Sequence, residues 1–374
     1  MQSARLVHPV LFALLALLAP AVLPAQPAPA RLRVAIAGLV HGHVEGFLSA
    51  LPAHPEVELV GIADPDPALR ARYAKKFNLP DSVFFESTAN LIETRRPQAV
   101  LVYTSIADHR KVIETAAQYG VSVMVEKPLT ISLEDALAIR RTAQRYKVHV
   151  LVNYETTWYA SNASAAAEVG PAGIGEIRRI VVHDGHQGPK EIGVPPEFLG
   201  WLTDPAQNGA GALYDFGCYG ADLATWLMHG EAPLSVTAVL NHDKPSVYPR
   251  VDDDATVILA YPRAQAVLEP SWNWPFGRKD MELYGSTGYA ITVGGDKLRL
   301  RHEHDAEERT TTAPPLDPAR RDSLSYLAAV LGGKLEPKGD LSALDTNVVV
   351  MQILDAARES ARTGRTVTLR RLDD

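Results

Sequence analysis

The chain is 374 residues long, enough for two domains with ample core. Its 37 Lys and Arg against 44 Asp and Glu give a net charge of −7, and with no long basic run nucleic acid is not the expected partner. Cys218 is the only cysteine, which excludes an intramolecular disulfide and a cysteine-ligated zinc site.

The first thirty residues read as a targeting segment. Arg5 and His8 precede the apolar run Val10 to Ala19, about half the length of a bilayer span, and small residues and prolines follow from Leu23 to Ala30. The pattern predicts a secretory signal peptide over residues 1–25, cleaved near Ala25, and an exported protein, periplasmic or secreted, with no stable membrane anchor. No Arg-Arg pair precedes the run, so the general secretory route fits better than the twin-arginine one. An uncleaved anchor helix is the competing reading.

Residues 31–153 read as a first domain. A strand over residues 32–38 ends at Gly38, and the stretch after it, Leu39 to Leu48, opens an amphipathic helix. A second strand over 57–63 ends at Asp64, twenty-six residues after Gly38, which is the arrangement of a mononucleotide-binding βαβ unit with an acid for the ribose hydroxyls. Pro65 and Asp66 supply no arginine for a 2′-phosphate, so NAD is favoured over NADP. The glycine fingerprint is damaged, because its second and third glycines fall on Val40 and His43, although Gly42 restores some room. His41 and His43 either contact phosphate or substrate, or line a turn that lost its nucleotide. No carboxylate pattern accompanies them, so no metal site is expected.

The alternation continues with helices over 67–77 and 87–93, a strand over 99–103, a helix from Asp108-His109 to Tyr119, and a helix over 132–146 capped by serine. Between the last two lies Val121 to Pro128, a buried strand that runs into Glu126-Lys127-Pro128. Lys127 is then held at a strand exit, where an open α/β sheet binds its ligand. A lysine there is partly desolvated, which lowers its pKa toward the range useful for proton transfer. A solvated surface turn is the plain alternative.

Residues 154–374 differ in texture. Helix is expected over 154–168, and strands over 176–183, 235–240, 255–261, 264–269, 280–284 and 289–293, spaced as hairpins of an antiparallel or mixed sheet. Glu303 to Pro318 reads as a surface loop, and helices over 319–331 and 343–363 finish the chain before a short strand at 366–370. In Gly209 to Leu227, Asp215, Tyr219 and Asp222 lie four and three apart, one face of a helix N-terminus. Asp222 suits helix capping or dipole pairing, and Trp272 to Phe276 suits either a wall for a sugar ring or sheet packing. His183 and His186 are candidate substrate contacts, and Cys218 a small buried filler.

Five landmarks in order, namely the strand ending at Gly38, Thr104 with His109, Glu126-Lys127-Pro128, Asp215-x-Gly-x-Tyr219-x-x-Asp222-Leu223 and Glu282 to Gly288, make the chain resemble the Gfo/Idh/MocA family of oxidoreductases. The resemblance runs from Arg33 to about Arg370. It implies a Rossmann-type doubly wound parallel sheet followed by an α+β domain with a large, mainly antiparallel open sheet. It also implies that Lys127 and Tyr219 meet the substrate hydroxyl beside a nicotinamide, with Asp215 nearby. Gly38, Val40, His41, Gly42, His43, Asp64, Thr104, His109, Glu126 and Lys127 would line the cofactor. Many members carry histidine where this chain has Tyr219.

The function expected is NAD-dependent oxidation or reduction of a secondary hydroxyl of a sugar, cyclitol or related polyol. An NAD-assisted glycosidase or lyase and a sugar-binding protein that no longer holds nucleotide are the alternatives. A homo-oligomer through the open face of the second sheet is expected.

Overall fold

The computed structural model describes residues 31–372, so the expected signal peptide lies outside the described residues. The first half alternates strictly. In order come β1 (Leu32–Ala37), α1 (His43–Ala50), β2 (Val57–Ala63), α2 (Pro67–Phe77), β3 (Phe84–Phe85) and α3 (Thr88–Arg95), then β4 (Ala99–Val102), α4 (His109–Gln118), β5 (Ser122–Glu126), α5 (Leu133–Tyr146) and β6 (Val150–Asn153). The strands pair in parallel in the order β3-β2-β1-β4-β5-β6. Local chemistry sets the helix starts: Asp66, Ser87 and Ser132 accept a hydrogen bond from the N–H of Ala68, Asn90 and Asp135. β4 and β5 are buried along their whole length, as parallel strands covered on both faces must be. The chain turns opposite ways after β1 and after β4, and the loops leaving these two strands therefore diverge and open the crevice where such sheets bind ligands.

The second half supplies α6 (Ala160–Ala167), β7 (Ile177–Gly185), α7 (Pro196–Leu202), α8 (Pro205–Asn208), α9 (Ala212–Asp215), α10 (Gly217–Leu227), β8 (Ser235–Asn241), β9 (Asp254–Ala260) and β10 (Gln265–Ser271). It continues with β11 (Arg278–Gly285), β12 (Gly288–Val293), β13 (Lys297–His302), β14 (Arg309–Thr312), α11 (Ser323–Leu331), α12 (Leu344–Thr363) and β15 (Val367–Thr368). Nine strands form one open sheet in the order β14-β13-β12-β11-β7-β10-β9-β8-β15. β7 and β10 run parallel and the other described pairs antiparallel. α10 lies close on one face, because a Cβ at Gly220 would stand 2.9 Å from Leu268 and 3.3 Å from Val182.

One expectation needs correcting here. The segment 303–318 is not all loop, since Arg309–Thr312 forms the edge strand β14 against β13. Its side chains are all exposed, so no apolar alternation marks it in the sequence. The chain's later part also returns to the first sheet. Leu324, Tyr326, Leu327 and Val330 of α11 share a core with Val34, Leu101 and Met124 of the first sheet, and Val152 N–H bonds to the Ser342 carbonyl at 3.0 Å.

Candidate active site

The turn after β1 is built tightly. Gly38 has φ +91°, and a Cβ there would come 2.6 Å from the Thr104 side chain and 2.7 Å from the Tyr103 carbonyl, so only glycine fits. Most of the turn's N–H groups are already bonded. Leu39 donates to Asp64 Oδ2 (2.7 Å), His41 to the Tyr103 carbonyl (3.1 Å), His43 to His41 Nδ1 (3.3 Å), Val44 to the His41 carbonyl (3.1 Å) and Glu45 to the Gly42 carbonyl (3.3 Å). That leaves the N–H groups of Val40 and Gly42 as donors for a phosphate. α7 covers this turn from the second domain: Trp201 Nε1–H donates to the Val40 carbonyl (3.2 Å), and a Cβ at Gly42 would stand 2.8 Å from the Phe198 ring.

Asp64 ends β2 as expected, with its Oδ1 accepting from the Asp66 N–H at 2.8 Å; burial pushes its carboxyl up. The preference for NAD rested on the aspartate and on a missing arginine, and the fold removes the second of these arguments. Arg70, from the first turn of α2, donates to the Asp64 carbonyl at 2.5 Å, so a guanidinium does stand beside the acid.

At the end of β5, Lys127 is buried and donates to Asp215 Oδ1 (2.5 Å) and to the Asp215 carbonyl (2.7 Å). The other carboxylate oxygen, Oδ2, accepts from Trp272 Nε1–H at 2.9 Å. Burial alone pulls the ammonium down, but the Asp215 carboxylate more than offsets it and Lys127 is held above its usual range. Burial likewise raises Asp215, and Lys127 reverses this to leave it below. The sequence-based expectation of a lysine with a lowered pKa is therefore overturned by its partner.

The helical spacing is also corrected. Asp215 closes α9, Phe216 interrupts the helix, and Tyr219 and Asp222 belong to α10. Tyr219 is buried and meets Lys127 with its ring, whose centroid lies 5.1 Å from Nζ, while the hydrogen-bonded partner of Lys127 is Asp215. Lys279 Nζ stands 5.0 Å from the same ring. Burial keeps the Tyr219 hydroxyl well above its usual range. Asp222 neither caps nor pairs: it is buried in α10 with neither oxygen hydrogen-bonded, and burial pushes it far up.

His109 is held by the backbone after Lys127. It is buried, and its Nδ1 lies 3.1 Å from the Pro128 carbonyl and 3.2 Å from that of Leu129, so it fastens the turn after Lys127. Burial pushes it down to about 4, which makes it a neutral donor at neutral pH. His183 is corrected too. Alternation along β7 puts Val182 and Asp184 toward the helices and His183 on the other face, where Nδ1 lies 2.6 Å from Glu269 Oε2. His186 stays at the rim of the site, with its ring edge on Phe216 at 4.9 Å and Nδ1 accepting from the Gly188 N–H at 2.9 Å.

Two further residues escaped the sequence reading. The β7–β11 register sets Lys279 opposite Asp184, and Asp184 is buried with Oδ1 unpartnered; burial pushes its carboxyl well up. Lys279 in turn forms an ion pair with Glu155. Neither lies in a motif, so only the register could have revealed them. The expectation that no carboxylate accompanies His41 and His43 fails for the same reason. Glu126 arrives from 83 residues away, its Oε2 3.0 Å from His43 Nδ1, and one nitrogen or oxygen from each of the three lies within 4.8 Å of the others.

An open parallel sheet with an acid at the end of β2 and a buried Lys–Asp pair at the end of β5 is the layout of a dinucleotide-dependent oxidoreductase. Comparison with known proteins agrees. Residues 32–154 match the model described as "Oxidoreductase family, NAD-binding Rossmann fold", and residues 163–291 match that of the GFO/IDH/MocA C-terminal domain. The chain belongs to the Gfo/Idh/MocA family of oxidoreductases. It is 26% identical over 282 residues to scyllo-inositol 2-dehydrogenase (NAD(+)) of Bacillus subtilis, covering 73% of this chain and 76% of that one. An inositol dehydrogenase homolog from Azotobacter vinelandii, solved with NAD+, superposes with a TM-score of 0.77 at 19% identity, over 91% of this chain and 98% of that one. The aldose-aldose oxidoreductase of Caulobacter crescentus, solved with glycerol, superposes with a TM-score of 0.75 at 23% identity, over 91% and 100%.

The residues fit the dinucleotide such a family binds. Asp64 is an acceptor at the ribose position, Val40 and Gly42 keep unspent N–H groups, and Glu126 and Lys127 stand at the far end. The fit is narrowest at the centre, where Val40 keeps a side chain and Phe198 covers Gly42.

Proposed function

We propose that the protein interconverts a secondary hydroxyl and the corresponding ketone of a sugar, cyclitol or related polyol, with NAD as cofactor. The Lys127–Asp215–Trp272 cluster at the end of β5 is the observation that carries this reading. When bound, the nicotinamide would supply or accept the hydride, and Asp64, the Val40 and Gly42 N–H groups and Glu126 would hold the cofactor.

The protein's own task is the proton. Lys127 rests as an ammonium because Asp215 holds it so. In the reducing direction it can donate to the oxygen that gains charge, which is general acid catalysis from a desolvated group. Asp215 then keeps the returning proton close, and Trp272 Nε1–H fixes the carboxylate so that one oxygen always faces Nζ. In the oxidising direction the same pair must release a proton first, which the raised Lys127 makes the harder task at neutral pH. Tyr219, with a hydroxyl that burial keeps protonated, serves as a donor to the substrate rather than as a base.

Steady-state assays with a panel of polyols and their ketones, with NAD(H) and NADP(H), test this reading. Turnover of at least one pair, abolished in Lys127→Met, is expected; no turnover and no calorimetric binding of either nucleotide would sink it.

Two wider expectations complete the proposal. The protein is exported, on the strength of the apolar run Val10 to Ala19. It also pairs with a second copy through the sheet face away from α10, where Val239 is 61% and Ile258 41% exposed. Light scattering on the purified protein tests the pairing; a monomer at micromolar concentration would refute it.

A further inference from the structure

His41 and His43 occupy the turn where the family motif has glycine, and the hydride chemistry above leaves both without a task. We propose that His41, His43 and Glu126 form a binding site for a divalent transition-metal ion of the zinc class. Two imidazoles and one carboxylate are a ligand set used for zinc with an open position and for 2-His-1-carboxylate iron.

The geometry is close to what such an ion needs. Bonds of about 2.0–2.1 Å set neighbouring ligand atoms about 3.3–3.5 Å apart in a tetrahedron. Glu126 Oε2 and His43 Nδ1 are 3.0 Å apart, and the widest separation in the group is within 4.8 Å. A modest opening of the first and closure of the last would seat the ion. His43 can make that movement because its side chain is 46% exposed, whereas His41 and Glu126 are buried and held.

The holding is specific. Glu126 Oε1 accepts from Asn153 Nδ2–H at 2.8 Å, and Asn153 Oδ1 accepts from Trp158 Nε1–H at 3.0 Å, an outer shell of the kind that aims a metal-binding carboxylate. The His41 ring packs 4.6 Å from Phe198 and 5.4 Å from Trp201, so α7 fixes its plane. Charge favours a cation as well. The Glu126 carboxylate supplies the negative charge such an ion needs, and the nearby ammonium of Lys127 is itself paired with Asp215. Three protein ligands in a four-coordinate site leave one position for water or another oxygen donor.

The test needs neither substrate nor nucleotide, so its failure is separate from failure of the proposed function. The purified protein is stripped with a chelator, dialysed and titrated with zinc by calorimetry, with metal content checked by mass spectrometry. One ion per chain is expected. His43→Ala, at a half-exposed position that keeps the fold, and Glu126→Gln should each weaken zinc binding by about a hundredfold or more. Asn153→Ala should weaken it by about tenfold, the effect of a lost outer-shell partner. Absence of saturable zinc binding would overturn the proposal, as would binding that His43→Ala leaves unchanged. His302, whose imidazole lies 2.9 Å from Glu168 and 3.6 Å from Asp305, is the control: loss of zinc in His302→Ala with retention in His43→Ala would place the ion elsewhere and overturn it too.

Discussion

Replacing Asp215 by Asn keeps the shape of the side chain and removes its charge from beside a buried ammonium. Lys127 Nζ sits 2.5 Å from Oδ1, and the two side chains are 5% and 6% exposed. Deleting one member of a buried pair costs about 3–5 kcal/mol, against well under 1 for most exposed pairs. The pH dependence carries the diagnosis. Lys127 is held above its ordinary value, so its share of the stability is complete below that value and lost as pH rises through the folded one. Asp215 is held below its ordinary value, so its share is present above that value and lost as pH falls through the folded one. In Asp215→Asn, burial acts on the ammonium without a carboxylate to offset it. The variant should therefore regain stability as the pH rises and Lys127 gives up its proton. Urea unfolding of both proteins from neutral to alkaline pH should show a gap widest near neutrality and narrowing above it. Ketone reduction should fall by about a hundredfold or more in the variant. A gap below about 1 kcal/mol, constant with pH, would refute the buried-pair reasoning.

Tyr219→Phe should cut turnover by about a hundredfold while substrate binding changes little; full activity in the variant would leave the tyrosine as packing alone. Asp64→Ser should lower kcat/KM for NAD more than for NADP, since Arg70 remains beside the site; equal losses would show that Asp64 does not read the ribose. N-terminal sequencing of protein from the envelope fraction should begin near Gln26, and an intact Met1 would end the export proposal.

Much of the first sheet was legible because its signals are local. Buried strands such as Ala99–Val102 are unbroken apolar runs, and helix starts such as Ser87 and Ser132 carry side-chain caps. The Lys127 strand exit was legible for the same reason, but its electrostatics were not, because the charge that controls it lies 88 residues away in Asp215. Local pattern also misled. The four-and-three spacing of Asp215, Tyr219 and Asp222 suggested one helix face, whereas the break at Phe216 puts Asp215 on a separate turn against Lys127. His183 lies one residue from Asp184, and a strand's two-residue period sends them to opposite faces. Trp272 looked like packing or a sugar wall, and its fixed bond to Asp215 follows only from the pairing of β10 with β7 and β9.

The buried titratable groups around Lys127 divide by whether each has an opposite charge. His41 and His109 are pushed down by burial and Cys218 and Tyr219 are pushed up, so these four rest neutral at neutral pH, and burial pushes the Asp184 and Asp222 carboxyls up as well. Lys127, Asp215 and Glu126 stay charged because the surroundings favour it: Lys127 and Asp215 have one another, and Glu126 has hydrogen bonds with His43 and Asn153 and the nearby Lys127 ammonium. Charging any of these six meets a desolvation cost that no opposite charge offsets in full. Passing a proton along Lys127 and Asp215 only moves charge within a pair already stabilised by Trp272. On the proposed reading the proton of a hydroxyl–ketone exchange therefore passes through Lys127, and Asp184 and Asp222 are the poorer choice because burial disfavours the carboxylate form that a base requires.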